Sequence, residues 1–324
     1  MAKVLGVGNA LVDLLVRIDD DRLLEELKLP KGSMTLVDEK TKDLIADKVK
    51  LLDKEMASGG SAANTIHGLA RLGVETAFIG TVGMDETGNF FGSDLEQSKI
   101  KPLLKKSKTS SGLASTLISK DGERTFGTYL GAAIELSGPD LKPEQFKGFD
   151  ILHVEGYLVQ NHELLETILR LAKQTGLKIS IDMASYNVVE DNLDFFKEMV
   201  ARYVDILFAN EEEAKAFTAK EPEAALNEMA KLVEIAVVKT GSEGSMVKKG
   251  DQVTLIRPIT ANPMDTTGAG DLYAAGFLFG LINNLGFVNA GYIGSLLAST
   301  VIEKIGAKIP ADKWAAIKHK INTL

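Results

Sequence analysis

The stretch NPMDTTGAGDLYAAGF, residues 262–277, sets threonines and glycines ahead of an apolar helical run. Helix N-termini carry unpaired N–H groups and the positive end of the helix dipole, so they attract anions. Gly268 and Gly270 flank Ala269, and such small residues let a phosphate approach the backbone closely. Yet the loop has no lysine, and the charge at its helix start is an acid, Asp271. Two readings of Asp271 fit. One is an N-cap, where aspartate is favoured. The other is a general base that takes a proton from a hydroxyl beside an anion hole. Neither a G-x-x-x-x-G-K-[ST] phosphate loop nor a protein-kinase signature occurs, so the common nucleotide-binding folds do not account for this stretch.

The surrounding chain narrows the class. Its 324 residues suit one large domain with a small appendage. A net charge of −8 argues against a nucleic-acid or anionic-membrane binder, though backbone amides can still hold a small phosphate locally. The absence of cysteine excludes disulfides, thiolate metal sites and cysteine nucleophiles, and fits a reducing compartment. The apolar start MAKVLGVGNALVDLLV reads as a buried strand interrupted by Asp13 rather than as a signal peptide. No apolar stretch reaches the length of a membrane span, and the expected location is the cytoplasm.

Short apolar runs recur at 3–8, 76–83, 150–156, 178–183, 205–210 and 235–241, with helical patterns between several of them at 162–175, 191–202 and 222–232. That alternation predicts an α/β fold with a mostly parallel sheet and helices on both faces. The segment 269–320 reads as nearly all helical. Residues 14–36 and 112–130 break the rhythm. The second of these alternates like a hairpin around Asp121-Gly122, and the two together predict a small β-sheet over one edge of the main one. A lid is one reading of that sheet and a decorative insertion the other. The lysine-rich 101–108 reads as a solvated loop, Trp314 as helix packing, and His67, His153, His162 and His319, which lack ligand spacing, as structural or surface residues.

Other motifs carry paired readings. In ASGGSAANTIHGLARLG, 57–73, Gly59 and Gly60 form a tight turn with Ser61 as cap, or present amides to sugar hydroxyls with Asn64 facing the same cavity. In GNALVDLL, 8–15, Asn9 and Asp13 fall on one side of an extended chain. An unpaired carboxylate in that apolar run would cost several kcal/mol, so Asp13 needs partners or a ligand bearing vicinal hydroxyls. In FANEEEAKAF, 208–217, Asn210 caps a helix, or acts with Glu213 on Mg2+ through water. In VVKTGSEGSMV, 237–247, Thr240 and Gly241 form a hairpin turn, or meet a nucleotide at a strand's C-terminal edge.

Taken in order, the N-x-x-x-D strand, GGSAANTIHGLARLG, N-x-x-E, KTGSEG and DTTGAGD closely resemble the ribokinase-like (PfkB) family of sugar and nucleoside kinases, over roughly residues 3 to 310. The resemblance implies a three-layer fold, one kinase domain over 1–324 with a lid from 14–36 and 112–130, and ATP-dependent phosphorylation of a hydroxymethyl group. It implies Asp271 as base, with the amides of Gly268, Ala269 and Gly270 as anion hole. Asn9, Asp13, Gly59, Gly60 and Asn64 match substrate positions. Asn210 and Glu213 match an element linked to Mg2+ and phosphate. Thr240, Gly241 and Gly244 match nucleotide contacts, and Ser295 a polar position near adenine. Asp265 and Thr267 lie where some members bind a monovalent cation such as K+. The spacing in GNALVDLL and the segment KGSMTLVDE, 31–39, resemble the adenosine-kinase branch, with Tyr129, Phe126 and Leu130 as a wall for the acceptor base. Glu155 falls near a substrate-facing acid of sugar kinases, which favours the alternative of ribose, fructose or a related sugar. A silent sugar-binding relative is the third reading. The implied partner is a small-molecule substrate, with neither nucleic acid nor membrane, and the chain a monomer or homodimer.

Overall fold

The computed structural model describes residues 2–324. From one edge to the other, the main sheet runs β6 (Ile100–Ser107), β5 (Glu75–Gly83), β1 (Lys3–Val7), β9 (Ile151–Glu155), β10 (Lys178–Asp182), β11 (Ile206–Asn210), β12 (Ile235–Lys239), β13 (Ser245–Lys249) and β14 (Gln252–Ile256). The first seven are parallel, and β13 and β14 add an antiparallel edge. The apolar runs become strands because both faces of a parallel sheet are covered. In β11, Ile206 and Phe208 enter one core layer while Leu207 and Ala209 enter the other. Helices α5 (His162–Gln174), α7 (Leu193–Tyr203), α8 (Glu211–Thr218) and α9 (Pro222–Met229) cover the second layer. The first is covered by α3 (Ser61–Leu72), α4 (Glu86–Gln97), α10 (Ala269–Ile282), α11 (Gly286–Val301) and α12 (Lys313–Ile321). Phe91, Phe196, Phe208, Phe217 and Phe277 are fully buried, each contributing on the order of 1.5–3 kcal/mol.

A second sheet has the order β3 (Met34–Leu36), β8 (Arg124–Tyr129), β7 (Gly112–Ile118), β2 (Leu11–Arg17), β4 (Lys54–Gly59). Strands β7 and β8 are antiparallel, and the chain reverses at Asp121-Gly122 with Gly122 at φ +87°, a left-handed position suited to glycine. Side chains alternate across this sheet. Asp13, Ala114 and Thr128 share one face by register, and Val12, Leu113 and Tyr129 share the other. Leu14, Val16 and Leu117 pack on Leu24 and Leu27 near α1 (Arg22–Glu26) and on Ile45 of α2 (Glu39–Lys48).

Several local expectations change. Residues 101–108 are not a solvated loop; they lie in or beside β6, the outermost parallel strand. Lysines suit that position because charge on an exposed edge discourages further pairing. Strand β4 joins the second sheet from a segment whose charged, short sequence carries no strand signal. The helix expected at 191–202 is interrupted at Asn192, between α6 (Tyr186–Asp191) and α7.

Candidate active site

Neighbouring parallel strands β9, β10, β11 and β12 end at one edge of the sheet in Glu155, Asp182, Asn210 and Lys239. Ligands in open α/β sheets bind outside the carboxyl ends of the strands. A cavity of about 1030 Å³ opens there. The start of α10, the start of α3 and Asp13 of β2 line one part of it. Gly241, Gly244, Ile259, Ser295, Ala298 and Ile302 line another, largely apolar part.

The helix start resolves Asp271. Gly268 is the N-cap residue of α10, at φ +76°, and makes no side-chain cap. A Cβ there would come within 2.7 Å of the Ala307 Cβ, so both the turn and the packing require glycine. Asp271 is the third residue of the helix and does not cap it. Its Oδ1 accepts from Ser61 Oγ at 2.7 Å and its Oδ2 from Asn64 Nδ2 at 2.9 Å. Burial pushes its pKa up to about 6, against the pull of those two donors. Among the described residues, the N–H groups of Gly268, Gly270 and Asp271 have no backbone partner, whereas Ala269 donates to the Thr266 carbonyl at 3.2 Å. The glycine-rich turn therefore offers free amides beside a fixed carboxylate.

The lysine missing from the turn arrives from β12. A Cβ on Gly270 would lie 2.9 Å from Lys239 Nζ. Lys239 donates to Asp182 Oδ2 at 2.6 Å, and both line the cavity. Burial alone would lower the ammonium pKa, but the negative charge of Asp182 and Glu213 outweighs it and the pKa lies above the ordinary lysine value. Glu213 itself is pushed up to about 7 by burial, although Lys239 opposes this. Both of its oxygens accept from Asn210, from the backbone N–H and Nδ2 at 2.8 Å each, while Glu213 N–H donates back to Asn210 Oδ1. This is a reciprocal helix cap. It suits contact with Mg2+ through water better than direct ligation, and no group of three or more metal-binding side chains occurs among the described residues.

Asp13 lines the same cavity as Asp271. A Cβ on Gly59 would sit 2.3 Å from Asp13 Oδ2, so only glycine leaves room for this carboxylate. Burial pushes Asp13 up to about 7, with Lys308 opposing and Asp271 reinforcing the shift. Lys308 in turn donates to Ser58 Oγ at 2.8 Å and pairs with Asp94. Gly60, Ser61 and Asn64 line the same region.

Asn9 is not in this lining. It precedes β2, and its backbone N–H and Nδ2 both donate to Glu155 Oε1, at 2.9 and 2.7 Å. Glu155 Oε2 accepts from Ala62 N–H at 3.0 Å, and the residue is 1% exposed. Tyr129 also lies elsewhere. It occupies the face of the second sheet opposite Asp13, where Lys42 sits 5.0 Å over its ring and its hydroxyl is 3.3 Å from Ser110 Oγ. Phe126, by register with Leu15, is on the Asp13 face instead. Thr240 is a backbone element of the β12–β13 turn, donating to the Gly244 carbonyl at 2.9 Å, and it is its neighbours Gly241, Ser242 and Gly244 that line the cavity. His153 is buried 3.1 Å from Ser180 Oγ, His67 is buried in α3, and His162 stacks on Phe195.

Four carboxyls with raised pKa values, Glu155 and Glu213 buried and Asp13 and Asp271 half-buried, have a consequence for stability. Burial raises Asp13, Glu155 and Glu213 to about 7 and Asp271 to about 6. A raised carboxyl binds its proton more tightly in the folded state, so its contribution is lost as pH rises through the folded pKa. His67 and His153, lowered by burial to about 3 and about 4, oppose this only below the ordinary histidine value. The ligand-free protein is therefore expected to lose melting temperature as pH rises from about 6.5 to about 8. A calorimetric series that is flat or rises over that window would contradict the assignment.

Comparison with known proteins shows the family and the fold. Residues 32–314 match the pfkB family carbohydrate kinase domain. An uncharacterized sugar kinase of Archaeoglobus fulgidus is 28% identical over 74% of this chain and 96% of its own. The structure superposes on a probable sugar kinase from Rhizobium etli with TM-score 0.87, 31% identity, and 98% of each chain covered. It superposes equally well on adenosine kinase from Sinorhizobium meliloti, with TM-score 0.86, 32% identity, 98% of this chain and 99% of that one covered. The described residues hold no helix long and apolar enough to cross a membrane.

Proposed function

Because the chain belongs to the pfkB family of carbohydrate kinases, enzymes that transfer a phosphoryl group to an alcohol, we propose that it is an ATP-dependent nucleoside kinase with adenosine as the leading acceptor and AMP as product. The observation that carries the reading is one cavity holding two half-buried carboxyls, Asp13 and Asp271, beside a helix start with free amides. In this reading Asp13 accepts from vicinal ribose hydroxyls, with the amides of Gly59 and Gly60 and the Asn64 side chain as further polar contacts. Asp271 takes the proton of the 5′-hydroxyl. That oxygen bonds to the γ-phosphorus, the bond to the β-phosphate oxygen breaks, and ADP leaves. The amides of Gly268, Gly270 and Asp271 and the Lys239 ammonium face the charge on the transferring group. The apolar part of the cavity, with Gly241, Gly244 and Ser295, receives the nucleotide base. Asn210 and Glu213 would hold Mg2+ through water, and the ion would supply positive charge to offset that of the phosphates. The second sheet acts as the lid that keeps water from competing with the acceptor.

The adenosine kinase of S. meliloti supports the nucleoside over the sugar. So does Glu155, which is 1% exposed, accepts from Asn9 and Ala62, and is not among the residues lining the cavity. The A. fulgidus and R. etli relatives favour the second reading, a sugar such as ribose or fructose. An ADP-release assay over adenosine, other nucleosides, ribose and fructose separates them. Turnover with a simple sugar and none with adenosine would sink the first. Asp13→Ala should raise KM for the acceptor roughly 10- to 100-fold, the loss of one or two hydrogen bonds to a charged group. An unchanged KM would remove Asp13 from the acceptor site.

A further inference from the structure

Asp265 and Thr267 lie where some kinases of this family bind a monovalent cation, and the residues present do not fit one. Asp265, the first residue of DTTGAGD, is 3% exposed. Its Oδ1 accepts from Thr267 N–H and its Oδ2 from Gly306 N–H, both at 2.8 Å, while its own N–H donates to the Ile302 carbonyl at 3.1 Å. The carboxylate thus clamps the turn ahead of α10 to the segment after α11. Two amides leave its full charge unbalanced in a buried place. The chain itself places a balancing charge here: the Arg124 guanidinium lies against Asp265 Oδ1 as an ion pair, although its Nη1 makes no hydrogen bond. Arg124 is the first residue of β8. By register with Ile118 and Arg17 it lies on the face of the second sheet that carries Asp13.

We propose that the Arg124 guanidinium takes the place of the monovalent cation at Asp265, so that this protein needs none, and that the pair ties the second sheet to the anion-binding turn. A guanidinium is always charged and resists desolvation less than an ammonium, which suits a partly buried pairing of this kind. Because Arg124 belongs to the small sheet and Asp265 to the turn, separating the two elements would expose an unbalanced carboxylate beside the helix start. The small sheet is therefore held over the cavity by charge as well as by packing. The consequence for turnover rests on the kinase reading; the replacement of the cation does not.

The test uses two readouts without turnover. Melting temperature and ADP affinity are measured in KCl, NaCl and tetramethylammonium chloride at equal ionic strength. The parent protein should show the same values in all three salts. Arg124→Leu should melt lower, and potassium but not tetramethylammonium should restore part of the loss by entering beside Asp265. Arg124→Lys, which keeps a positive charge, should behave like the parent. A parent melting temperature or ADP affinity that rises specifically with potassium would overturn the proposal. So would a loss in Arg124→Leu that potassium leaves unrelieved. If Arg124→Leu does not fold, the parent and Arg124→Lys series still decide. A protein that phosphorylates no acceptor would refute the kinase reading and leave these melting results standing.

Discussion

Replacing Asp271 with Asn is expected to slow phosphoryl transfer by roughly 10²- to 10⁴-fold, the usual worth of a positioned general base. Ligand binding should be largely retained. The amide has nearly the shape of the carboxylate but cannot take a proton. The fold should survive, because the buried charge it removes is one that burial disfavours, as the pKa of about 6 indicates. Ser61 and Asn64 both donate to Asp271, and the amide can accept readily on only one atom, so one of these bonds must rearrange. Calorimetric affinities for ADP and acceptor, set beside kcat, separate a chemical loss from a binding loss. The parent should also lose kcat/KM on the acid side as Asp271 is protonated near its raised pKa, and Asp13 adds to that limb near about 7. Turnover by Asp271→Asn at the parent rate would remove Asp271 from the chemistry.

Lys239 should show the next largest effect. If its ammonium faces the transferring group, removing it costs kcat roughly 10²- to 10³-fold, comparable to the loss of one anion-hole donor. Lys239→Gln alone is an ambiguous test. It strands Asp182, 3% exposed and bonded to Lys239 at 2.6 Å, and breaking a buried pair from one side costs about 3–5 kcal/mol of stability. The pair Lys239→Gln with Asp182→Asn removes both charges and keeps two hydrogen-bonding amides. It should melt near the parent temperature with kcat still reduced, and with a smaller effect on KM. Recovery of both stability and kcat in the double variant would make the lysine a structural partner of Asp182 and nothing more.

The parallel sheet was legible because a strand covered on both faces must be apolar on both, and runs such as DILFAN and IAVVKTG have no other economical reading. Strand β6 was not, since its lysines imitate a solvated loop while its pairing partner β5 lies far back in sequence. The glycine-rich turn was visible as a motif, but whether Asp271 capped its helix depended on where the helix began. That start is Ala269, which places Asp271 within the first turn and aims its carboxylate at Ser61 and Asn64. Asp182 and Lys239 were overlooked as ordinary strand ends. A signal for them existed: each closes a buried strand at the carboxyl edge, where open α/β sheets bind their ligands. Tyr129 shows the reverse error. Alternation fixes that its face differs from that of Phe126, but which face meets the cavity follows only from pairing with β7 and β2. The pairing of Arg124 with Asp265 joins segments distant in sequence, and neither residue carries a local sign of it.

The central claim is transfer of the γ-phosphoryl group to an acceptor hydroxyl rather than to water. Phosphorus NMR of a reaction containing ATP, Mg2+, the protein and adenosine reports this directly, because it distinguishes a new phosphomonoester from free phosphate where ADP release cannot. The account predicts an AMP resonance growing in step with ADP, with little inorganic phosphate. Inorganic phosphate in step with ADP, and no phosphomonoester with adenosine, other nucleosides or sugars, would contradict it.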